Sequence, residues 1–530
     1  AYYSEEDVRT AESRVEEAFL LEGFHEVDVG PHRVERGSRG VTVVVPVVEG
    51  RRFHVEDVRI EGADPQWLGP KLPIGEPFRR RLASTMAGRA RRALLEAGYA
   101  FAEVSGRSEI DPEQATAVIT VTVEQGERIH LDQVHFHGNC TTKRWFMRRR
   151  IPLRHGNVVK RSCLERGVSD LYRSRAFDSV DVRLEPTEPG MADAHFDVKE
   201  GQAKELDLEV GWGSWELARA EAAYRDFNFL GTGRIFRASG LAAVRAQAIK
   251  VGFEDRWILG RTTRLWADAL VARREEPFYT LETAAFQVGA ERSWQSRRHR
   301  VRGSYLFAAM DAYDVAATLP PDEQDQLSRF SRTAGLQVEY RFDSRDDRFL
   351  PSTGSLVETS TLLSLPALGA TLEYVELEIS AAHHFNLGGA GVLAVHGFAA
   401  TRQPFGDTDD LPIQNRYFLG GLSSVRAYDQ DELTPTDING NGLGGLTAVE
   451  ATVEWRRRIA GILYGALFGD AGVVSLDPFS LDGARGYGFG AGLRLYTPVG
   501  PVRFDLAYNP GDLHAASDRW QFFFAFGFSF

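Results

Sequence analysis

Trp520-Gln-Phe-Phe-Phe-Ala-Phe-Gly-Phe-Ser-Phe530 is the stretch on which the reading of the whole chain turns. Trp520, Phe522, Phe524, Phe526, Phe528 and Phe530 occupy every second position, with Gln521, Phe523, Ala525, Gly527 and Ser529 between them. A period of two is the period of a β-strand, so six aromatics share one face and mostly small or polar groups share the other. A soluble sandwich would bury the aromatic face. A transmembrane barrel would turn it to lipid, with the end residues near the interface.

Working outward, the same alternation recurs with charge on the face opposite the apolar one. Arg503 and Asp505 lie between Val502, Phe504, Leu506 and Tyr508, and Asp207 and Glu209 lie between Leu206, Leu208 and Val210. Charges repeated on one face suit a wet lumen better than a dry sandwich core. Alternating segments fill residues 203–530, and at roughly 20 residues per strand and connection they predict about 16 antiparallel strands. Long connections at Asp311–Phe330, Arg402–Gln414 and Tyr428–Leu446 interleave with short ones. The expectation is a membrane β-barrel of about 16 antiparallel strands.

Before residue 203 the texture is mixed helix and strand, and it repeats. Phe53-His-Val-Glu-Asp-Val-Arg-Ile-Glu-Gly62 aligns with Ile129-His-Leu-Asp-Gln-Val-His-Phe-His-Gly138. Each is followed by a helix that closes on an aromatic (Ala93–Tyr99, Leu171–Phe177), then by an alternating strand, Ala117–Glu124 or Ala194–Glu200. The unit is strand–helix–helix–strand–strand, about 75 residues long, which is the size of a repeated supersecondary module. Ala18–Phe24 and Val41–Val48 match the end of a third, partial copy. The expected division is 1–50, a partial module; 51–126 and 127–202, two α+β modules; and 203–530, the barrel. Modules with free sheet edges suit the binding of extended peptides.

Composition narrows the function classes. The 530 residues are 43% hydrophobic with a net charge of −12, and no run of 18 apolar residues is present, so a spanning helix is not expected. Residues 1–20 read as an acidic helix rather than a cleavable leader. Mild acidity without basic runs argues against a nucleic-acid partner. No catalytic constellation and no metal-ligating set stands out, so neither an enzyme, a metal site nor a cofactor is expected. Asp437-Ile-Asn-Gly-Asn-Gly442 begins like a calcium loop, but Ala448 stands where the bidentate carboxylate belongs. His383-His384 is read as an ordinary surface pair.

Several segments resemble the BamA/TamA superfamily of POTRA-plus-barrel outer-membrane assembly proteins. Arg416-Tyr-Phe-Leu-Gly-Gly-Leu-Ser-Ser-Val-Arg-Ala-Tyr428 is similar to the family's sixth-loop signature, contributing Gly420, Gly421, Val425, Arg426 and Tyr428. Phe468-Gly-Asp-Ala-Gly472 resembles its Phe-x-Asp-x-Gly wall strand, and Tyr340–Gly354 its mid-barrel segment. Gly488, Gly490, Gly492, Arg494 and Gly500–Asp505 resemble the penultimate strands, and Phe530 the terminal sorting signal. The module count resembles the TamA branch most. The resemblance implies an outer-membrane barrel with periplasmic modules and unfolded outer-membrane protein clients. It further implies contact with outer-membrane lipid and a TamB-like, inner-membrane-anchored partner. A BamA-type core insertase and a two-partner-secretion pore are the alternatives.

The residues carry physical expectations of their own. A guanidinium inside a lumen needs a carboxylate, which predicts a bidentate Arg426–Asp470 pair joining loop to wall. Gly488, Gly490 and Gly492 share a face with Arg494 and would let the loop pack closely. Ala427 stands where the family has Gly, and a left-handed backbone there would penalise it. The barrel must close by pairing about Lys204–Trp215 with Trp520–Phe530. Leu208, Gly211, Gly213, Gly527, Phe528 and Phe530 would line that seam, which the family opens to template client strands. The glycines would either weaken that pairing or simply relieve curvature. An oxidising compartment would permit Cys140 to bond Cys163; that pairing is left open.

Overall fold

The computed structural model describes the chain except residues 1–3, 38–39, 216, 260–262, 296–297, 328, 349, 498–499, 512–516 and 527–530. It divides into two compact units, Ala1–Gln202 and Ala203–Phe530.

The first unit contains two complete α+β modules of one plan. In the first, the central strand Thr116–Glu124 pairs parallel with His54–Glu61 and antiparallel with Glu103–Asp111. Its Ala117, Ile119, Val121 and Val123 alternate onto the buried face. The helix Leu82–Ala97 covers them with Ala83, Met86, Ala87, Ala90 and Leu94, the spacing of one helical stripe. In the second, the central strand Met191–Glu200 is parallel to His130–His137 and antiparallel to Phe177–Pro186, under the helix Arg161–Arg173. Gly62 and Gly138 hold equivalent places. Both have φ of 84°, and a Cβ on either would run into the carbonyl oxygen of Val123 or Val198 respectively. The helix-closing position is left-handed in every copy, at Gly23, Gly98 and Arg175. Ahead of these lie the helix Glu5–Leu21, capped by the Ser4 hydroxyl, and two short strand pairs.

Cys140 and Cys163 are both free thiols, Cys140 exposed. The disulfide left open from sequence is therefore not made.

The second unit is a closed antiparallel barrel of sixteen strands from Lys204–Gly213 to Trp520–Phe526, each paired with its sequence neighbours. Connections differ in length. The end opposite the entry of Lys204 carries the long ones, including residues 314–330, with a short helix at Pro321–Leu327, and residues 405–446. Apolar side chains at alternate positions face outward around the wall. Leu208, Ile249, Val271, Val338, Ile379, Val453, Leu467 and Phe522 are all exposed. The alternate positions turn charges inward, as in the chain of Arg256, Glu254, Arg264 and Glu291. That outward apolar belt and polar interior are what a bilayer dictates for strands. Of the last strand, Trp520 and Phe522 face out while Phe523 and Ala525 are buried inward, as the period of two predicts.

Candidate functional site

The long connection between the strands Val392–Pro404 and Thr447–Ala460 folds back against the inner wall. Its tip is built by local backbone chemistry. Gly420 and Gly421 have φ of 114° and 94°, a region other residues enter at a cost, and Gly421 N–H bonds to the carbonyl of Tyr428 to close the turn. Leu419, Val425, Ala427, Tyr428 and Leu433 then pack against Ala448, Phe468, Val474 and Ala507 of the wall.

Arg426 is the polar centre of this contact. Its Nε and Nη2 each donate to a different oxygen of Asp470 at 2.7 Å, and Nη1 donates to Glu454 Oε2 at 2.9 Å. The guanidinium carbon sits 3.4 Å above the Phe468 ring. Arg426 and Asp470 are each only 3% exposed. Thr452 Oγ1 donates a further bond to Asp470, at 3.0 Å. The fork-to-carboxylate geometry thus forms between the two residues that sequence reasoning paired. Sequence reasoning did not see that the pair is part of a larger network. Arg494 donates to Asp505 and to Glu454 Oε2, and Arg503 Nε donates to Asp505 Oδ2 at 2.6 Å. Arg426, Arg494 and Arg503 thus face the carboxylates of Glu454, Asp470 and Asp505, with Arg456 3.7 Å from Glu454, so each buried charge has an opposite partner. Glu454 carried one available signal: it sits between Val453 and Trp455 in an alternating strand, registered opposite Phe468.

The glycines make the approach possible. A Cβ on Gly488 would collide with that of Ala427, one on Gly490 with the Phe468 ring, and one on Gly492 with Asp505. A Cβ on Gly472 would lie 2.7 Å from Leu419 Cδ1 and 2.9 Å from Val425 Cγ2. The expected penalty at Ala427 does not arise. The positive-φ residues of the loop tip are Gly420, Gly421 and Asp431, not Ala427, whose methyl instead fills the space over Gly488. Asn509 Nδ2 donates to its carbonyl at 3.3 Å.

The seam is the second element. Along its other side the first strand registers residue for residue, from Lys204↔Asp226 to Gly213↔Leu217. Toward the last strand, among the described residues, the register is Trp212↔Phe526 and Gly213↔Ala525. The Ser214 hydroxyl adds a bond in each direction, donating to Phe524 O and accepting from Phe524 N. Gly211 lies so close that a Cβ there would sit 2.8 Å from Phe526 O, while Gly213 faces open space. Leu208 points outward and is 75% exposed. Gly527, Phe528 and Phe530, also expected at the seam, lie outside the described residues.

Comparison with known proteins agrees with this architecture. The Omp85 superfamily domain matches residues 228–530. The chain is 22% identical to the outer membrane protein assembly factor BamA of Neisseria meningitidis, over 88% of this chain and 66% of that protein. It is likewise 22% identical to the BamA of Nitratidesulfovibrio vulgaris, over 95% of this chain and 66% of that protein. The chain therefore spans 66% of the length of these relatives. The crystal structure of Haemophilus ducreyi BamA lacking POTRA domains 1–3 superposes with a TM-score of 0.76 at 18% identity, covering 89% of this chain and 99% of that one.

Proposed function

This chain belongs to the Omp85 superfamily, and on that premise we propose that it assembles β-barrel proteins into the outer membrane, with the seam as its working part. The barrel sits in the outer membrane with its POTRA-type modules in the periplasm. The observation that carries the proposal is the closure of the barrel: its first strand, Lys204–Gly213, meets its last, Trp520–Phe526, at the registered pairs Trp212↔Phe526 and Gly213↔Ala525. Parting that closure loses hydrogen bonds worth about 0.5–1.5 kcal/mol each. A client strand added to the freed edge of Lys204–Gly213 replaces what was lost and satisfies backbone groups that lipid cannot. No external energy source is needed for that exchange. The loop-to-wall network holds the strands on the last-strand side of the seam. Arg426 ties the long loop to strands near the last one, so the wall stays folded while the seam parts.

The clients in this reading are unfolded outer-membrane proteins, delivered along the free sheet edges of the modules. The named relatives support the BamA-type reading of the site. A TamA-like role with a TamB-like partner rests on module count, which a chain spanning 66% of its relatives does not decide. The test is reconstitution. Proteoliposomes carrying this chain are given a urea-unfolded outer-membrane barrel, and folding is read from its heat-modifiable gel mobility. Faster folding than in empty liposomes is expected, and equal rates would overturn the proposal.

A further inference from the structure

In the second complete module, the solvent-side face of the sheet collects imidazoles. His135 and His137 stand two apart on the strand His130–His137, so they share a face. The parallel neighbour Met191–Glu200 registers His195 beside His135 and brings Asp193 to the same face. The intervening Phe136, Ala192, Ala194 and Phe196 point into the core. His135 Nε2 is 2.9 Å from Asp193 Oδ2, and His137 Nε2 is 3.0 Å from His195 Nδ1. One ligand atom from each of His135, Asp193 and His195 falls within 4.8 Å of the others.

We propose that His135, Asp193 and His195, with His137 as fourth ligand, form a binding site for a divalent transition ion of the zinc type. Imidazole and carboxylate donors suit that class of ion. Two ligands of a tetrahedral zinc at the usual bond lengths lie about 3.3 Å apart, close to the spacing the facing nitrogens of His137 and His195 already hold. The far nitrogen of His195, Nε2, lies 3.3 Å from Glu185 Oε2, the carboxylate–imidazole arrangement that orients a metal-bound histidine. Charge points the same way. Arg183 is shared between Asp197 at 3.0 Å and Glu185 at 3.3 Å. With Asp193 added, the patch carries three carboxylates against one guanidinium, and a divalent cation cancels the excess while the imidazoles are neutral. A bound ion would cross-link the edge strand of the module to its central strand, next to the edge that strand addition would use.

The experiment uses the full chain without a polyhistidine tag, stripped with EDTA and titrated with zinc chloride by calorimetry and with cobalt chloride by visible absorption. The expected result is one tight equivalent and the intense visible bands of tetrahedral cobalt. His195→Gln and His135→Gln should each weaken binding at least tenfold, while His155→Gln, on the same module, leaves it unchanged. Binding by the native chain no tighter than by His195→Gln overturns the proposal and leaves a hydrogen-bonded imidazole stack. Should either glutamine variant alter the far-ultraviolet spectrum, Asp193→Asn decides, since its amide oxygen can still accept the Gln133 N–H bond that Oδ1 now takes at 2.9 Å.

Discussion

The bare backbone of Gly488 explains how Ala427 is accommodated at a position where the resemblance led glycine to be expected. The Ala427 backbone is not left-handed, and its methyl is accommodated because Gly488 has none. Gly488→Ala should therefore destabilise the barrel by about 1–3 kcal/mol through overpacking. Combining it with Ala427→Gly should restore part of that loss, the contact at 2.8 Å with the Tyr508 carbonyl remaining, a non-additivity that thermal shifts in heat-modifiable mobility would measure. Arg426→Met should cost about 3–5 kcal/mol, because Asp470 and Glu454 keep their charge in a closed site. Replacing Arg426 and Asp470 together by apolar residues should cost less than the sum of the two single changes. At this scale the sequence revealed the pair Arg426–Asp470 and the glycine face, because motif residues sat on strands of clear parity. Arg503 and Asp505 were visible as inward-type charges and Arg494 as a member of the glycine face, while Glu454 was not picked out. Their joining into one network was not visible, since which inward residues meet depends on register and on the depth of the loop. His135, His137 and His195 were overlooked for the same reason: His-x-His marks one face of a strand, but the third imidazole comes from a strand about 60 residues later, as a repeat of this length allows.

At the scale of elements, the connections explain more than the strands do. The segment read as a plain connection at Asp311–Phe330 holds the helix Pro321–Leu327, whose Glu323 accepts a bond from Arg416 Nη1 at 3.0 Å. Proline at the helix start and acidic residues in its first turn were signals for it. The connection at residues 276–279 carries a pH response. Burial pushes the Glu276 carboxyl up to about 7; Arg274, 2.8 Å away, opposes this in part, and Asp431 of the long loop adds to it. Between the ordinary carboxylate range and about 7 the folded state holds a proton that the unfolded state has lost. Stability from this group is therefore full below that range and falls as pH rises through it. Glu276→Gln should raise the unfolding temperature at pH 8 and leave it unchanged at pH 4.5. An equal shift at both values would show that the carboxyl is not the titrating group.

For the whole molecule, the bilayer sets the pattern. Sixteen strands were legible because lipid favours an alternating pattern along the wall, as in Leu206, Leu208 and Val210 or Phe522 and Phe526. The repeat before residue 203 was legible because Gly62 and Gly138 answer the same steric demand. Arginine placed on the outer belt at mid-strand, as in Val338→Arg, should cost about 2–4 kcal/mol in the bilayer. The same substitution at Gln337, on the inner face, should cost little. Comparing the urea midpoints of the two variants refolded into lipid vesicles measures the difference.

The proposed assembly activity turns on the seam between Lys204–Gly213 and Trp520–Phe526. The most direct test places cysteines at the registered pair, Gly213→Cys with Ala525→Cys, in a background of Cys140→Ser and Cys163→Ser, and scores client folding in proteoliposomes. Oxidation should stop client folding, and reductant should restore it. A bond that forms fully while client folding continues at the same rate would contradict the claim that the seam is where clients enter the membrane.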